Sequence, residues 1–277
     1  MRRDSRSVNE WKARNAMKNV TAPAVFAVIV LALGGMPAGA SAAEIKALAT
    51  IALQSVMEDL APRFEKASGH KVRITFGLGV PLAKRVQDGE AADLLLGPRG
   101  SIDGLIKAGR LEPGSDINLA RSGVGVAVRK GAPKPDISTP EALKRALIAA
   151  KSISYTNPAF GGASGVHFGK VIERLGIAEE MKAKTKFPPQ GGFTARLLVT
   201  GDAELAVQQI GELISIPDVE LLGPLPGDLQ SVTTFAAAIP SAAHQPDAAR
   251  ALIKYLQSPE AAAVMKAKGL DPIAELR

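Results

Sequence analysis

The chain has 277 residues with 34 Lys+Arg, 27 Asp+Glu and no cysteine, and its first 43 residues hold six basic and two acidic side chains. Without that segment the balance is 28 basic against 25 acidic, so the positive surplus belongs mainly to the start of the chain. Aromatic content of 4% and scattered Lys and Arg exclude the basic, aromatic-studded surface that nucleic-acid binding needs, and zero cysteines exclude disulfides, thiolate metal sites and a lipidated N-terminal Cys.

Residues 1–43 read as an export leader. Met17-Lys18-Asn19 opens the basic region, Ala22 to Leu33 is an apolar stretch too short for a comfortable bilayer span, and Ala40-Ser41-Ala42 predicts cleavage near Ala42-Ala43-Glu44. Translation starting at Met1 and at Met17 both fit. The remainder is expected to be a soluble, untethered, monomeric protein of the periplasm, large enough for one domain or two lobes.

Ile45 to Leu53 reads as a strand. Val56, Leu60 and Phe64 then recur every four residues up to a capping Gly69, which predicts an amphipathic helix. Lys71 to Phe76 alternates into the turn Gly77-Leu78-Gly79, and Pro81, Leu82 and Val86 predict a short helix. Leu94 to Gly97 reads as a buried strand, followed by a helix from Ser101-Ile102-Asp103 to about Gly109. This βαβαβα order predicts an α/β protein with a mainly parallel sheet covered by helices on both faces.

Asn118 to Arg129 reads as a strand crossing into a second lobe near Ala120 to Gly123. That lobe continues with a helix from Thr139-Pro140-Glu141, a strand at Ser152 to Tyr155, a helix starting within Gly161 to Gly165 with Ser164 as its cap, and a helix from Gly191-Gly192 to Thr200. Ala203 to Gln208 reads as a strand and Pro217 to Gly227 as a loop. Ser231 to Ile239 is the return strand, with the second crossing near Leu229 to Thr233. Two helices close the chain, one from Gln245-Pro246-Asp247 and one from Ser258-Pro259-Glu260. The expected lobes are 44–121 plus 231–277, and 122–230.

The chemistry expected of this pattern is binding, not catalysis, with no cofactor. His70, His167 and His244 fall on separate elements and have no metal-ligand spacing. Ser164 and His167 suggest an exported hydrolase as a rival reading, but Gly162-Ala163-Ser164-Gly165-Val166 does not match the nucleophile elbow and no acidic partner is identifiable. Helix-opening turns offer more. First-turn N–H groups lack intrahelical partners and sit at the positive end of the helix dipole, so converging turns hold an anion without buried cations. The candidate ligand-binding residues are Thr50, Ala52, Leu53, Gln54, Leu78 and Gly79 in the first lobe, and Asn157, Ala163, Ser164, Gly191 and Gln208 in the second.

From Ile45 to Pro272 the chain resembles the periplasmic molybdate-type solute-binding proteins of ABC importers. The resemblance is carried by Ala47 to Phe64, by Thr75-Phe76-Gly77 with Leu82-Ala83-Lys84-Arg85-Val86, by Gly89 to Leu94, by Asn157-Pro158, by Thr200-Gly201-Asp202-Ala203-Glu204, and by Ala248-Ala249-Arg250 with Ser258 to Ala261. It implies the two-lobe type II periplasmic binding fold, a small anionic solute in the interlobe cleft, and a permease partner in the inner membrane. Family members usually place ligand serines where this chain has Ala52 and Gly79 or Val80, and often a tyrosine where it has Gln208. The resemblance therefore implies a molybdate- or tungstate-like oxyanion, or a small organic carboxylate in contact with Thr50, Gln54, Arg99, Asn157, Gln208 and Gln209.

Overall fold

The computed structural model describes residues 42–273. Apart from Ala42 and Ala43, the expected leader lies outside the described residues.

The chain alternates strand and helix through its first third: β1 (Glu44–Thr50), α1 (Gln54–Ser68), β2 (Lys71–Gly77), α2 (Gly79–Gln87), β3 (Leu94–Pro98) and α3 (Arg99–Lys107). The long strand β4 (Ile117–Arg129) leads to α4 (Pro140–Ala149), β5 (Ile153–Tyr155), α5 (Ala163–Arg174), α6 (Ala178–Lys184), β6 (Thr185–Lys186), α7 (Ala195–Thr200), β7 (Leu205–Gln209), α8 (Ile210–Ile214) and β8 (Val219–Pro224). It returns through β9 (Val232–Ala238), α9 (Pro246–Leu256), α10 (Pro259–Ala267) and β10 (Asp271–Pro272).

The strand order is β2-β1-β3-β9-β4-β7-β5-β6, with β8 and β10 also on β4. Each end is parallel, β1 with β2 and β3, and β5 with β6 and β7. The middle is antiparallel, because β4 and β9 run against their neighbours and each other. The parallel ends follow from right-handed βαβ crossovers; the two long connecting strands supply the reversal. β4 belongs to both halves: Ile117 to Gly123 pairs with β9, and Val124 to Arg129 with β7 and β8.

Alternation along the strands builds a core on each face. On β1, Ala47 and Ala49 face α1, α9 and α10, while Leu48 faces the opposite cluster with Leu82, Leu95 and Ile102. On β4, Val124, Val126 and Val128 pack with Leu143, Phe168 and Ile172, whereas Ala127 packs with Leu198 and Leu213. A period of two with both faces apolar is the signature of a sheet covered on both sides.

Four expectations change. The stretch read as loop from Pro217 contains β8, an edge strand whose Pro224 ends it and whose register on β4 slips between Val126 and Ala127; edges tolerate Pro because one side needs no donor. The helix expected from Gly191 begins only at Ala195 and has six residues. Ser164 is not a cap: Gly162 is the N-cap of α5, and Ser164 lies inside its first turn. The short α6 and α8 went unread, each too brief for apolar periodicity to show.

Candidate functional site

Five strands, three from one half and two running the opposite way from the other, end facing each other, and each delivers a turn to the same place. After β1, Thr50 stays extended and Ile51–Leu53 form a 3-10 turn that leads into α1. After β2, extended Leu78 starts α2 at Gly79; after β3, Pro98 starts α3. From the other half, β5 runs into Thr156 and Asn157, α5 starts after Gly162, and β7 ends at Gln209, which opens α8. A crevice beyond the carboxyl ends of strands is where open α/β sheets take ligands.

Here the turns enclose a cavity of about 20 Å³, lined by Thr50, Ala52, Leu78, Gly79, Thr156, Ala163, Ser164, Gln209 and Glu212 among others. The two sides touch closely at the rim: a Cβ on Gly161, whose φ is +74°, would stand 2.8 Å from Cβ of Val80. Gly165 is needed too, since a Cβ there would come within 2.1 Å of the Thr156 carbonyl oxygen. Outside, past Pro98 and Ala163, a groove of about 720 Å³ runs between α2, α3 and α5 and carries Lys84, His167 and Lys170.

Two features of the cavity point to an anion. The N-caps Thr50, Leu78 and Gly162 at the cavity make no side-chain cap; elsewhere Thr139 and Ser258 cap α4 and α10, and α6, α7 and α9 start without one. First-turn N–H groups are thus left for a ligand. Thr50, Thr156 and Ser164, all in the lining, bring three hydroxyl-bearing side chains to the cavity and are buried to within 5% exposure. No Lys or Arg lines the cavity.

Glu212 is the one ionisable residue in the lining. Burial pushes its carboxyl up to about 8, against the opposing pull of hydrogen bonds from Gln209 and Gln208. Those bonds have forced directions. The Thr194 N–H and hydroxyl both donate to Gln208 Oε1, at 2.8 and 2.9 Å, so the Gln208 amide nitrogen faces Glu212 Oε1 at 3.1 Å. The Gln209 N–H donates to Glu212 Oε2 at 3.2 Å. Gln209 itself is fixed by its amide: the NH2 donates to the Ser122 and Gly123 carbonyls, both 3.1 Å away, and its oxygen accepts from the Thr233 hydroxyl at 2.9 Å. It thereby ties β7 to both crossing strands. Gln230 clamps the same crossing, bonding both the N–H and C=O of Val124 at 3.0 Å.

Of the residues expected to bind ligand, Thr50, Ala52, Leu78, Gly79, Ala163 and Ser164 meet around the cavity. The others lie elsewhere. Leu53 is packed in the core behind β1, and Gln54 points outward, its amide donating to Glu58 at 2.8 Å. Asn157 caps the turn Pro158–Phe160 by accepting from the Ala159 N–H at 3.0 Å. Gly191 is a left-handed loop residue off the lining, and Gln208 sits behind Glu212. Arg99 is held by Asp103 and Asp116, the latter at 2.7 Å. His167 spends Nε2 on the Leu229 carbonyl at 2.8 Å and lines the outer groove, so it does not serve Ser164 as a base. Thr156 and Glu212 were not anticipated. Thr156 was findable, because it directly follows the strand read at Ser152 to Tyr155; Glu212 had no signal beyond its place after a strand.

Among the described residues no cluster of three or more His, Cys, Asp or Glu forms a metal site, and no helix is long and apolar enough to cross a membrane.

Residues 45–271 match the family model described as bacterial extracellular solute-binding protein. The chain is 33% identical over 230 residues to an aconitate isomerase from Pseudomonas sp, which covers 80% of this chain and 85% of that protein. It is 30% identical over 249 residues to the molybdate-binding protein ModA of Azotobacter vinelandii, covering 87% and 95% of the two. The solved structure of the Azotobacter vinelandii periplasmic molybdate-binding protein superposes with a TM-score of 0.67 at 20% identity, covering 82% of this chain and 98% of that one. With the fold that these proteins share and the matched span running from β1 to β10, the chain belongs to the bacterial extracellular solute-binding proteins of the molybdate type, built on the type II periplasmic binding fold.

Proposed function

We propose that the chain is the periplasmic solute-binding component of an ABC importer, exported by its N-terminal leader, and that it holds a small anion in the cavity at the strand ends. The observation that carries this reading is the set of uncapped helix starts that meet at the cavity together with the three buried hydroxyl residues Thr50, Thr156 and Ser164 in its lining. These are donors arranged around a site without a cation, which suits an anion whose charge is spread over several oxygens. The lobes are residues 44–121 plus 231–277, and 122–230, with the crossings of β4 and β9 as the hinge. Contacts from both lobes to one ligand exist only when they are closed, so binding stabilises the closed form that a permease would recognise. The ligand is a molybdate- or tungstate-like oxyanion or a small carboxylate. Thermal unfolding with molybdate, tungstate, sulfate, and cis- and trans-aconitate tests it: one of these raises the midpoint with concentration as ligand binding to the folded state requires. No shift with any of the five rejects the reading.

Glu212 favours a second reading, isomerisation of an unsaturated polycarboxylate, in line with the isomerase among the relatives. An allylic proton shift needs a group that takes a proton from one carbon and returns it to another, and a carboxyl poised near 8 populates both forms close to neutrality. The 20 Å³ cavity must then open into the outer groove to admit the substrate. Proton NMR of cis-aconitate incubated with the protein decides it, since the trans isomer accumulates only if the reading holds.

A further inference from the structure

Glu212 is buried in the lining of the cavity, and both of its protein partners are donors: the Gln208 amide and the Gln209 N–H. The direction of the first is dictated by Thr194, which occupies Gln208 Oε1 with two hydrogen bonds. A carboxylic acid in this position keeps both of these bonds, because a protonated oxygen still accepts, and it has one hydrogen left over. No acceptor for that hydrogen appears among its protein partners. A buried donor without an acceptor is costly, so a cavity that contains one favours a ligand with acceptor oxygens.

We propose that Glu212 is a ligand-binding residue that donates its carboxyl hydrogen to the bound anion, so that the cleft takes up the anion and a proton together. This rests on the anion-cleft reading above. The neutral acid makes chemical sense of an acidic side chain in an anion site: ionised, it would repel the ligand, whereas protonated, it adds a donor. The surroundings keep it neutral. Helix α8 packs on β4, β7, β8 and the turn Ile51–Leu53. Neither β7 nor that turn carries an ionisable residue. On β4, Arg121 and Arg129 are exposed; on β8, Glu220 is paired with Lys134 at the surface. Just after α10, the Lys268 backbone approaches Gly211 while its ammonium lies 3.8 Å from Asp59. With no charge facing it, burial raises the proton affinity of Glu212 and only the hydrogen bonds from Gln209 and Gln208 oppose it.

Titration calorimetry with molybdate and with trans-aconitate, from about pH 6 to about pH 10, tests this. Both anions are fully ionised over most of that range, so a change in affinity reports the protein. The expected result is a Kd that is flat at the acid end and rises roughly tenfold per pH unit above about pH 9. Near pH 9, paired buffers of different ionisation enthalpy should show uptake of up to about one proton per bound anion. Glu212→Gln keeps a donor but cannot titrate, and it is expected to bind with a Kd independent of pH. Should that variant fold poorly, the infrared carbonyl stretch of a protonated carboxyl provides a second readout on the parent protein, shifting to lower frequency when the anion is added. A pH-flat Kd in the parent, or binding without proton uptake near pH 9, overturns the proposal and leaves the anion cleft standing. Absence of binding by both probes at every pH overturns the cleft reading, and this proposal with it.

Discussion

Raising the pH from about 5 to about 8.5 is a perturbation aimed at one buried group. In the folded protein Glu212 keeps its proton up to about 8, against 4.5 for an ordinary glutamate. Between these values the folded state holds a proton that the unfolded chain has released, so stability falls as pH rises through the window and is flat above it. The difference of about 3.5 pH units, at about 1.4 kcal/mol each, bounds the loss at about 5 kcal/mol. Contributions from the rest of the protein are common to the parent and a Glu212→Gln variant and cancel in the difference. The variant starts lower in acid by about 1–3 kcal/mol, since one amide oxygen cannot serve both the Gln208 and Gln209 donors. It then loses less as the pH rises, and the two stability curves converge or cross. Urea unfolding at the two pH values, with the parent and the variant side by side, measures this directly. Curves that run parallel would refute the assignment of a neutral Glu212.

Thr50→Val and Ser164→Ala each remove a hydroxyl from the cavity lining, so each should weaken anion binding roughly five- to tenfold by calorimetry while unfolding free energy changes by about 1 kcal/mol or less. Gly161→Val puts a side chain against Val80 at a positive φ, and is expected to cost about 1–3 kcal/mol and to hold the rim apart, read as a larger radius of gyration by X-ray scattering; adding Val80→Ala should restore part of the compaction. Gln230→Leu removes two hydrogen bonds to Val124 at the crossing of the strands, leaving its N–H with the Ser231 carbonyl and its C=O with the Leu225 N–H, and should lower stability by about 1 kcal/mol in chemical denaturation.

Apolar periodicity, capping residues and turn chemistry act over a few residues, so the alternation of β1 to α3, the Thr139 cap of α4 and the Pro-initiated α9 and α10 were legible in the sequence. Uncharged turns after β1 and β2 could likewise be recognised as helix starts open to an anion. Which residues meet was a different matter. Thr50, Ser164 and Glu212 lie far apart in the chain and come together only because five strand ends converge. Neighbouring residues at the end of β7 point to opposite sides, so one step of register puts Gln208 behind Glu212 and Gln209 at the hinge. In the same way the 3-10 turn after β1 sets the phase of α1 and turns Gln54 to solvent. The sequence by itself determined the alternating elements and the neutral, anion-suited character of the turns, because those follow from local backbone chemistry. Only the tertiary structure decided that a glutamate sits among them stripped of water, because desolvation is a property of what surrounds a group and not of the residue itself.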